Sequence, residues 1–232
     1  MGKRIAWFLP LGLCLGCAVF PGAPMPGESA EPLSEIQLAA QCLEKGDDAG
    51  ALPHLSAYVE AHPEQPVIRV HLAEVMLKLD RKADAKKQFE QYIRDAQPQG
   101  GEMCKHVIHV HTRLVELAQA GGDEYGEHLN RGIGLLLLAE QLMNRPATDG
   151  DPNPQKLLVK AVGELKQAGE LQPDAARPRW YLSEVYSQLG QQSPARRCLR
   201  QAHDRSDSAD LTPAEEQSLN MTWQAEIVGS SR

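Results

Sequence analysis

Two stretches of sequence decide the fold: residues 35–61, EIQLAAQCLEKGDDAGALPHLSAYVEA, and residues 69–95, RVHLAEVMLKLDRKADAKKQFEQYIRD. Shifted by 34 positions, the apolar residues of the first stretch fall on those of the second: Leu38, Ala39, Ala51, Leu55 and Tyr58 on Leu72, Ala73, Ala85, Phe89 and Tyr92. A period of this length predicts two antiparallel helices per unit. One such unit cannot bury its apolar face alone, so the sequence predicts a stack of helix pairs.

This pattern resembles that of the tetratricopeptide repeat family, in which the first helix carries Leu-Gly and Tyr, and the second carries Ala-x3-Phe before a closing Pro. The first unit has Leu38-Ala39, Cys42, a turn at Gly46, Ala51, Leu55 and Pro63, and the second repeats this with Met76, Ala85, Phe89 and Pro98. The resemblance implies an all-α fold, a right-handed α-solenoid of helix hairpins.

The pattern returns near the carboxy terminus, with Leu182-Ser183, Tyr186, Gly190, Ala195 and Leu199. Beyond it, Thr212-Pro213-Ala214-Glu215 has the residues of a capping box and predicts the start of a last helix. Leu219, Trp223 and Ile227 form one apolar stripe along that helix. We therefore expect a capping helix that closes the carboxy-terminal end of the array.

The middle of the array is irregular. A helix over residues 102–120 either pairs with a long helix over residues 124–143 or is an extra helix inserted into the stack. Ile133-Gly134 matches the Leu-Gly position of a further unit, whose second helix contains Ala161 and Leu165. An insertion, mainly over residues 144–154, then lies between its two helices. Gly132 and Gly134 lower helix propensity, which is tolerated where neighbouring helices approach closely.

Composition and motifs argue against nucleic-acid binding and catalysis. The chain has 24 Lys and Arg against 31 Asp and Glu, a formal charge of −7, and such a surface repels phosphate backbones. The sequence has no phosphate loop, nucleophile elbow, zinc-protease helix or dinucleotide fingerprint. We therefore predict a protein that is not an enzyme, with no cofactor, no catalytic residues and no nucleic-acid partner.

The amino terminus predicts export. Lys3 and Arg4 precede an uncharged stretch from Ile5 to Phe20 that is too short to span a bilayer. We predict a signal peptide over residues 1–20, a flexible Pro- and Gly-rich tether over 21–33 and the helical repeat domain over 34–228. Residues 13–17, LCLGC, resemble a bacterial lipoprotein signal and imply lipidation of Cys17. Cleavage after Ala18 without lipid, or an uncleaved signal, are the alternatives.

Tetratricopeptide arrays resemble one another in lining a concave groove with the first helix of each unit. By that resemblance, the partner-binding positions here are Ile36, Ala40, Leu43, Val67, Val70, Glu74, Arg177, Trp180 and Glu184. Apolar side chains at most of these positions favour capture of a protein or peptide segment, and Trp180 with Arg177 would dominate the binding energy. The predicted function is a scaffold or adaptor at the bacterial cell envelope, held by its lipid.

A metal-binding protein is the alternative function. On a helix, His106 and His109 share one face with Glu102, whereas Cys104 and His111 lie on another side. Zinc usually takes four ligands, and this face offers three at most. We therefore favour an amphipathic helix with polar histidines and predict no metal site.

Overall fold

Antiparallel helix pairs make up this computed structural model, which describes residues 33–95, 100–208 and 210–230. The described residues from Ser34 onward form one compact unit. The described part contains ten α-helices and no strand, which confirms the predicted all-α solenoid. The helices are α1 (Glu35–Glu44), α2 (Asp48–Ala61), α3 (Val67–Lys78), α4 (Lys82–Asp95), α5 (Gly100–Gly121), α6 (Glu124–Met143), α7 (Pro154–Leu171), α8 (Arg177–Gln188), α9 (Gln192–His203) and α10 (Pro213–Ser230).

Four of the helix pairs are joined by the same turn. One residue in each turn has a left-handed backbone: Gly46 (φ 74°), Asp80 (57°), Gly122 (68°) and Gly190 (72°). The backbone N–H of the residue after it donates a hydrogen bond to the carbonyl oxygen five residues earlier. The N···O distance is 2.8 Å where the donor is Asp47, Arg81 or Gln191, and 2.9 Å where it is Asp123. This bond closes a Schellman motif that satisfies the last carbonyls of the first helix. Helices α5 and α6 are therefore a hairpin of the same type. Of the two arrangements expected for the middle of the array, the helix over residues 102–120 thus pairs with the next helix and is not an extra helix inserted into the stack.

Helix α6 packs against helices on both sides. A Cβ added to Gly132 would lie 2.6 Å from Cγ of Leu165 on α7, so only glycine allows the two helices to approach this closely. A Cβ added to Gly134 would lie 3.6 Å from Cβ of His111 on α5. The close approach expected from these two glycines is therefore observed at Gly132. Residues 144–153 connect α6 to α7 as the expected insertion.

Apolar side chains form three buried clusters. The first joins α1 to α5 and contains Phe89 and Tyr92, which are fully buried. The second joins α6 to α9 around Ile133, Leu158 and Leu165. Burying each large side chain stabilises the fold by about 1.5–3 kcal/mol, so the stacking of neighbouring hairpins supplies most of the stability.

The third cluster holds the carboxy-terminal helix in place. Thr212 and Glu215 form the predicted capping box, in which Thr212 N–H donates to Glu215 Oε2 at 2.7 Å. Leu219 is fully buried and Trp223 stacks on His203 at 4.6 Å, whereas Ile227 is 42% exposed. The apolar stripe is thus most deeply buried at Leu219 and more exposed at Ile227.

Among the described helices, none combines the length and apolarity that crossing a membrane requires. Cys17, the predicted signal peptide and most of the predicted tether lie outside the described residues.

Candidate functional site

The first helices of the two regular hairpins present a row of accessible apolar side chains. Ile36 and Leu43 on α1 and Val67 on α3 are half-buried at the edge of the first apolar cluster. Ala40, one turn from Ile36, is exposed. These four residues, which we call the apolar row, keep part of their surface available to a partner, as their predicted role requires.

Two other predicted partner-binding residues are buried. Val70 is 4% exposed in the first cluster, and Trp180 is 5% exposed, packed with Leu199, Ala202 and Leu219. Helix α10 covers the face of α8 that the repeat pattern alone leaves open, so Trp180 is part of the core. Glu184 is half-buried, and burial together with the charge of Glu140 raises its pKa.

Glu74 connects α3 to α5. Its carboxylate accepts two hydrogen bonds from Arg113, Nε at 2.8 Å and Nη2 at 3.0 Å. Oε1 also lies 2.8 Å from Nε2 of His109. Burial alone would raise the pKa of Glu74, but these bonds outweigh burial and lower it. Glu74 is therefore an ionised residue that fixes the spacing of the two first helices.

His109 of the metal hypothesis and its neighbour His111 are both held by contacts within the chain. His109 contacts the carboxylate that Arg113 also holds, and a guanidinium beside a site repels a metal cation. His111 faces the opposite side, buried and paired with Asn130. No group of three His, Cys, Asp or Glu side chains is placed to hold a metal ion among the described residues, which exclude the side chains of Glu102 and Cys104.

A buried polar cluster joins α8 to α10. Nε of Arg177 donates to Oε1 of Glu215 at 2.9 Å, and the hydroxyl of Tyr181 donates to the same oxygen at 2.6 Å. The carboxylate of Asp210 accepts the backbone N–H groups of Ala176 (3.2 Å) and Arg177 (2.9 Å) at the start of α8. Arg177, predicted to bind a partner, therefore has a structural ion pair within the chain.

This cluster borders a cavity of about 320 Å³. Side chains from α4, α5 and α6, from Arg177 and from the loop before α10 line it. Lys86 and Asp123 pair at 3.1 Å, each being more than a third exposed, whereas His111 is 2% exposed. The cavity thus has a charged, accessible rim and a buried polar interior.

This cavity has no signature in the sequence because its residues come from separate parts of the chain. The capping-box motif identified Glu215 correctly as a helix cap. Nothing in the local sequence indicated that the same carboxylate also pairs with Arg177, 38 residues away. A site formed where distant helices meet has no spacing signature of its own.

Comparisons with known proteins agree with the repeat pattern. Residues 43–102 match the tetratricopeptide repeat family model. No curated protein sequence matches the chain.

The solved structures that are similar to this chain include the following three. A MamA protein from Desulfovibrio magneticus RS-1 is 14% identical, over 76% of this chain and 96% of that one, with a TM-score of 0.31. YrrB, described as a TPR protein with an unusual peptide-binding site, is 14% identical, over 75% and 86%, with a TM-score of 0.35. A thermophilic TPR protein of Thermus thermophilus is 17% identical, over 81% and 97%, with a TM-score of 0.36.

Proposed function

We propose that this chain, whose residues 43–102 match the tetratricopeptide repeat family model, is a non-catalytic scaffold that binds a protein or peptide segment along its first helices. The apolar row of Ile36, Ala40, Leu43 and Val67 carries this proposal. These side chains lie on consecutive first helices and remain accessible in the folded chain. A partner segment would bury them, and burial of apolar area is the main favourable term in such association.

The hydrogen-bonded network around Glu74 supports the proposal that the apolar row is a binding surface. Glu74, His109 and Arg113 are partly exposed beside the apolar row and are already paired with one another. They form a polar border next to apolar side chains, the arrangement of a typical protein interface. A partner segment with apolar residues facing α1 and α3, and polar ones facing α5, fits this surface.

We further propose that the scaffold works at the bacterial cell envelope. The support is the amino-terminal sequence: two cations, a short apolar stretch and Gly16-Cys17. Lipidation of Cys17 followed by a Pro- and Gly-rich tether would hold the repeat domain near a membrane while leaving its binding surface free.

Two exposed alanines provide a matched test. Ala40 lies on α1 in the apolar row, and Ala57 lies on the second helix α2. The purified full-length chain in mild detergent is used to select binders from a displayed library of random short peptides. Ala40→Glu should weaken the selected peptides at least about tenfold, because a charge would enter an apolar contact, whereas Ala57→Glu should leave affinity unchanged.

Circular dichroism of both variants checks that the fold is intact. The proposal fails if the wild-type chain selects no peptides. It also fails if Ala40→Glu binds as well as wild type, or if Ala57→Glu weakens binding equally.

A further inference from the structure

We propose that the exposed surface of α7 and α9 docks on an anionic membrane through the phosphate groups of its lipids. Five exposed cations form this surface, which we call the basic face: Lys156, Lys160 and Lys166 on α7, and Arg197 and Arg200 on α9. The membrane as partner rests on the cell-envelope location proposed above, whereas the cationic chemistry follows from the two helices alone.

Helices α7 and α9 are basic although the chain is acidic. Helix α7 has three Lys against two Glu, and α9 has three Arg and no acidic residue, whereas the whole chain carries a formal charge of −7. Of the two glutamates, Glu164 is already held by His128 and Arg131 of α6. Glu170 accepts a hydrogen bond from Gln167 at 3.3 Å. The basic face is therefore a local reversal of charge, which the total composition conceals.

The cations of the basic face have no counter-charge within the described part of the chain. Other exposed cations meet a carboxylate, as Lys78 does with Asp48 at 2.8 Å. On α9 itself, Arg196 pairs with Glu226 at 2.9 Å. None of the five cations of the basic face forms such an ion pair with a described residue. Their charges are therefore available to an anionic group outside the chain.

Cations from different helices approach one another around Cys198. Burial raises the pKa of this thiol, and the charges of Arg197, Arg179 and Lys166 oppose that rise. These three side chains belong to α9, α8 and α7, so the basic face is continuous from one helix to the next. Like charges gathered in this way repel one another, and a surface with many anionic groups relieves the repulsion.

An exposed apolar residue favours a membrane over other polyanions. Val159 is 62% exposed and precedes Lys160 on α7. An apolar side chain beside cations can enter the headgroup layer while the ammonium groups contact phosphates. A nucleic-acid backbone has no apolar layer beneath its phosphates. The acidic remainder of the chain is repelled by an anionic membrane, which would turn the basic face toward the lipid.

Two variants with the same charge change test the basic face. The face variant combines Lys166→Gln, Arg197→Gln and Arg200→Gln. The control variant combines three exposed cations from other helices and turns that also form no ion pair with a described residue: Lys45→Gln, Lys87→Gln and Lys105→Gln. Each full-length chain is mixed at low salt with phosphatidylcholine vesicles, with and without phosphatidylglycerol, and co-sedimentation measures its partition.

The wild-type chain should prefer the vesicles that contain phosphatidylglycerol. This preference should fall at least about tenfold in the face variant, because every cation near an anionic surface adds to the attraction, and less than about threefold in the control variant. High salt should abolish the preference, because it screens the charges. The amino-terminal segment is the same in all three proteins, so its own affinity for lipid cancels in the comparison. Circular dichroism checks that both variants are folded.

The inference is overturned if the wild type shows no preference for phosphatidylglycerol or if the face variant keeps it. Equal losses in the two variants would assign the attraction to net charge and overturn the inference too. So would binding of the wild type to a short DNA duplex as tightly as to vesicles, since the face would then recognise phosphates of any source.

The peptide selection described above separates this inference from the scaffold function. If peptides bind and the face variant partitions like the wild type, the scaffold function stands and the membrane-binding face is refuted. If no peptide binds but the face variant alone loses the preference for phosphatidylglycerol, the scaffold function fails and the membrane-binding face stands.

Discussion

Arg177 on α8 and Glu215 on α10 form a buried ion pair, with side chains only 16% and 9% exposed. Glu215 also caps its own helix, accepting the N–H of Thr212 at 2.7 Å. One carboxylate therefore both starts the last helix and attaches it to the array.

Removing the charge of Glu215 should strongly destabilise the fold. In Glu215→Gln the side chain can still cap the helix, because Gln serves in a capping box as Glu does. Arg177 is left buried without a counter-charge, so we expect the free energy of unfolding to fall by about 3–5 kcal/mol. Urea denaturation measures this. Glu226→Gln is the matched control, because Arg196 and Glu226 join α9 to α10 as a more accessible pair, with side chains 63% and 31% exposed, and should contribute less than about 1 kcal/mol. Equal losses in the two variants would contradict the account.

Gly132→Ala should destabilise the contact between α6 and α7. The added Cβ would lie 2.6 Å and 2.8 Å from side-chain atoms of Leu165, so the helices must move apart. We expect a loss of about 1–3 kcal/mol in thermal or urea unfolding. Gly163→Ala, also inside a helix but with nothing within 4 Å of the new Cβ, should be neutral or stabilise by up to about 1 kcal/mol. A Gly132→Ala protein as stable as Gly163→Ala would refute the close approach.

Asp80→Gly should stabilise the second hairpin. Asp80 is the non-glycine residue among the four left-handed turn positions and has a φ of 57°. Glycine adopts this backbone without the Cβ clash, so we expect a gain of about 0.5–1 kcal/mol. The reciprocal change, Gly190→Asp, should cost a similar amount. Unfolding of both variants under the same conditions measures whether each change raises or lowers the free energy of unfolding. An increase in both variants would exclude the left-handed backbone as the cause.

Stability should fall as the pH drops from 7 to 5, because of His111. The pKa of His111 is about 4 in the folded chain, against an ordinary value of 6.5. Between these values the unfolded state binds the extra proton and the folded state does not, so acid favours unfolding. We expect a loss of about 2 kcal/mol at pH 5 relative to pH 7. His111→Gln should remove this part of the pH dependence, as measured by urea unfolding at both pH values. If the stability of His111→Gln depends on pH as strongly as that of the wild type, other titrating groups cause the dependence.

Cys17→Ser should abolish lipid attachment. If Cys17 is lipidated, the mature wild-type chain begins at Cys17, is heavier than the polypeptide alone and fractionates with membranes. The serine variant should stay unprocessed or be cleaved after Ala18 without lipid. Intact mass analysis of both proteins decides, and a wild-type mass equal to the bare polypeptide would disprove lipidation.

Local patterns predicted the fold well because each repeat encodes its own helices and turn. Leu38, Leu72 and Leu182 identified first helices that the structure contains. The sequence leaves the α5–α6 pairing open because residues 102–120 have no clear second helix of their own. The turn at Gly122 shows that the two helices form a hairpin.

Prediction of the site succeeded less well, because a pattern that encodes each repeat locally says nothing about contacts between distant helices. A period specifies which face of a helix is apolar, but not what covers that face. Trp180 lies at a groove position in its own unit, yet Leu219 from the last helix packs against it. Likewise, the partners of His111 and Arg177 lie on other helices, and no single stretch of sequence contains both members of either pair.

The shared position of α6 also limits how this array can change by recombination. The first two units are joined at a regular seam, where one unit could be duplicated or deleted and its neighbours would still match. No regular junction of this kind exists around α6. Removing α7 would take away the helix that packs against Gly132, and removing α5 would take away the helix that packs against Gly134. Helices α5 to α7 therefore form one packing block, from which neither neighbour of α6 can be removed without exposing a packed face of that helix.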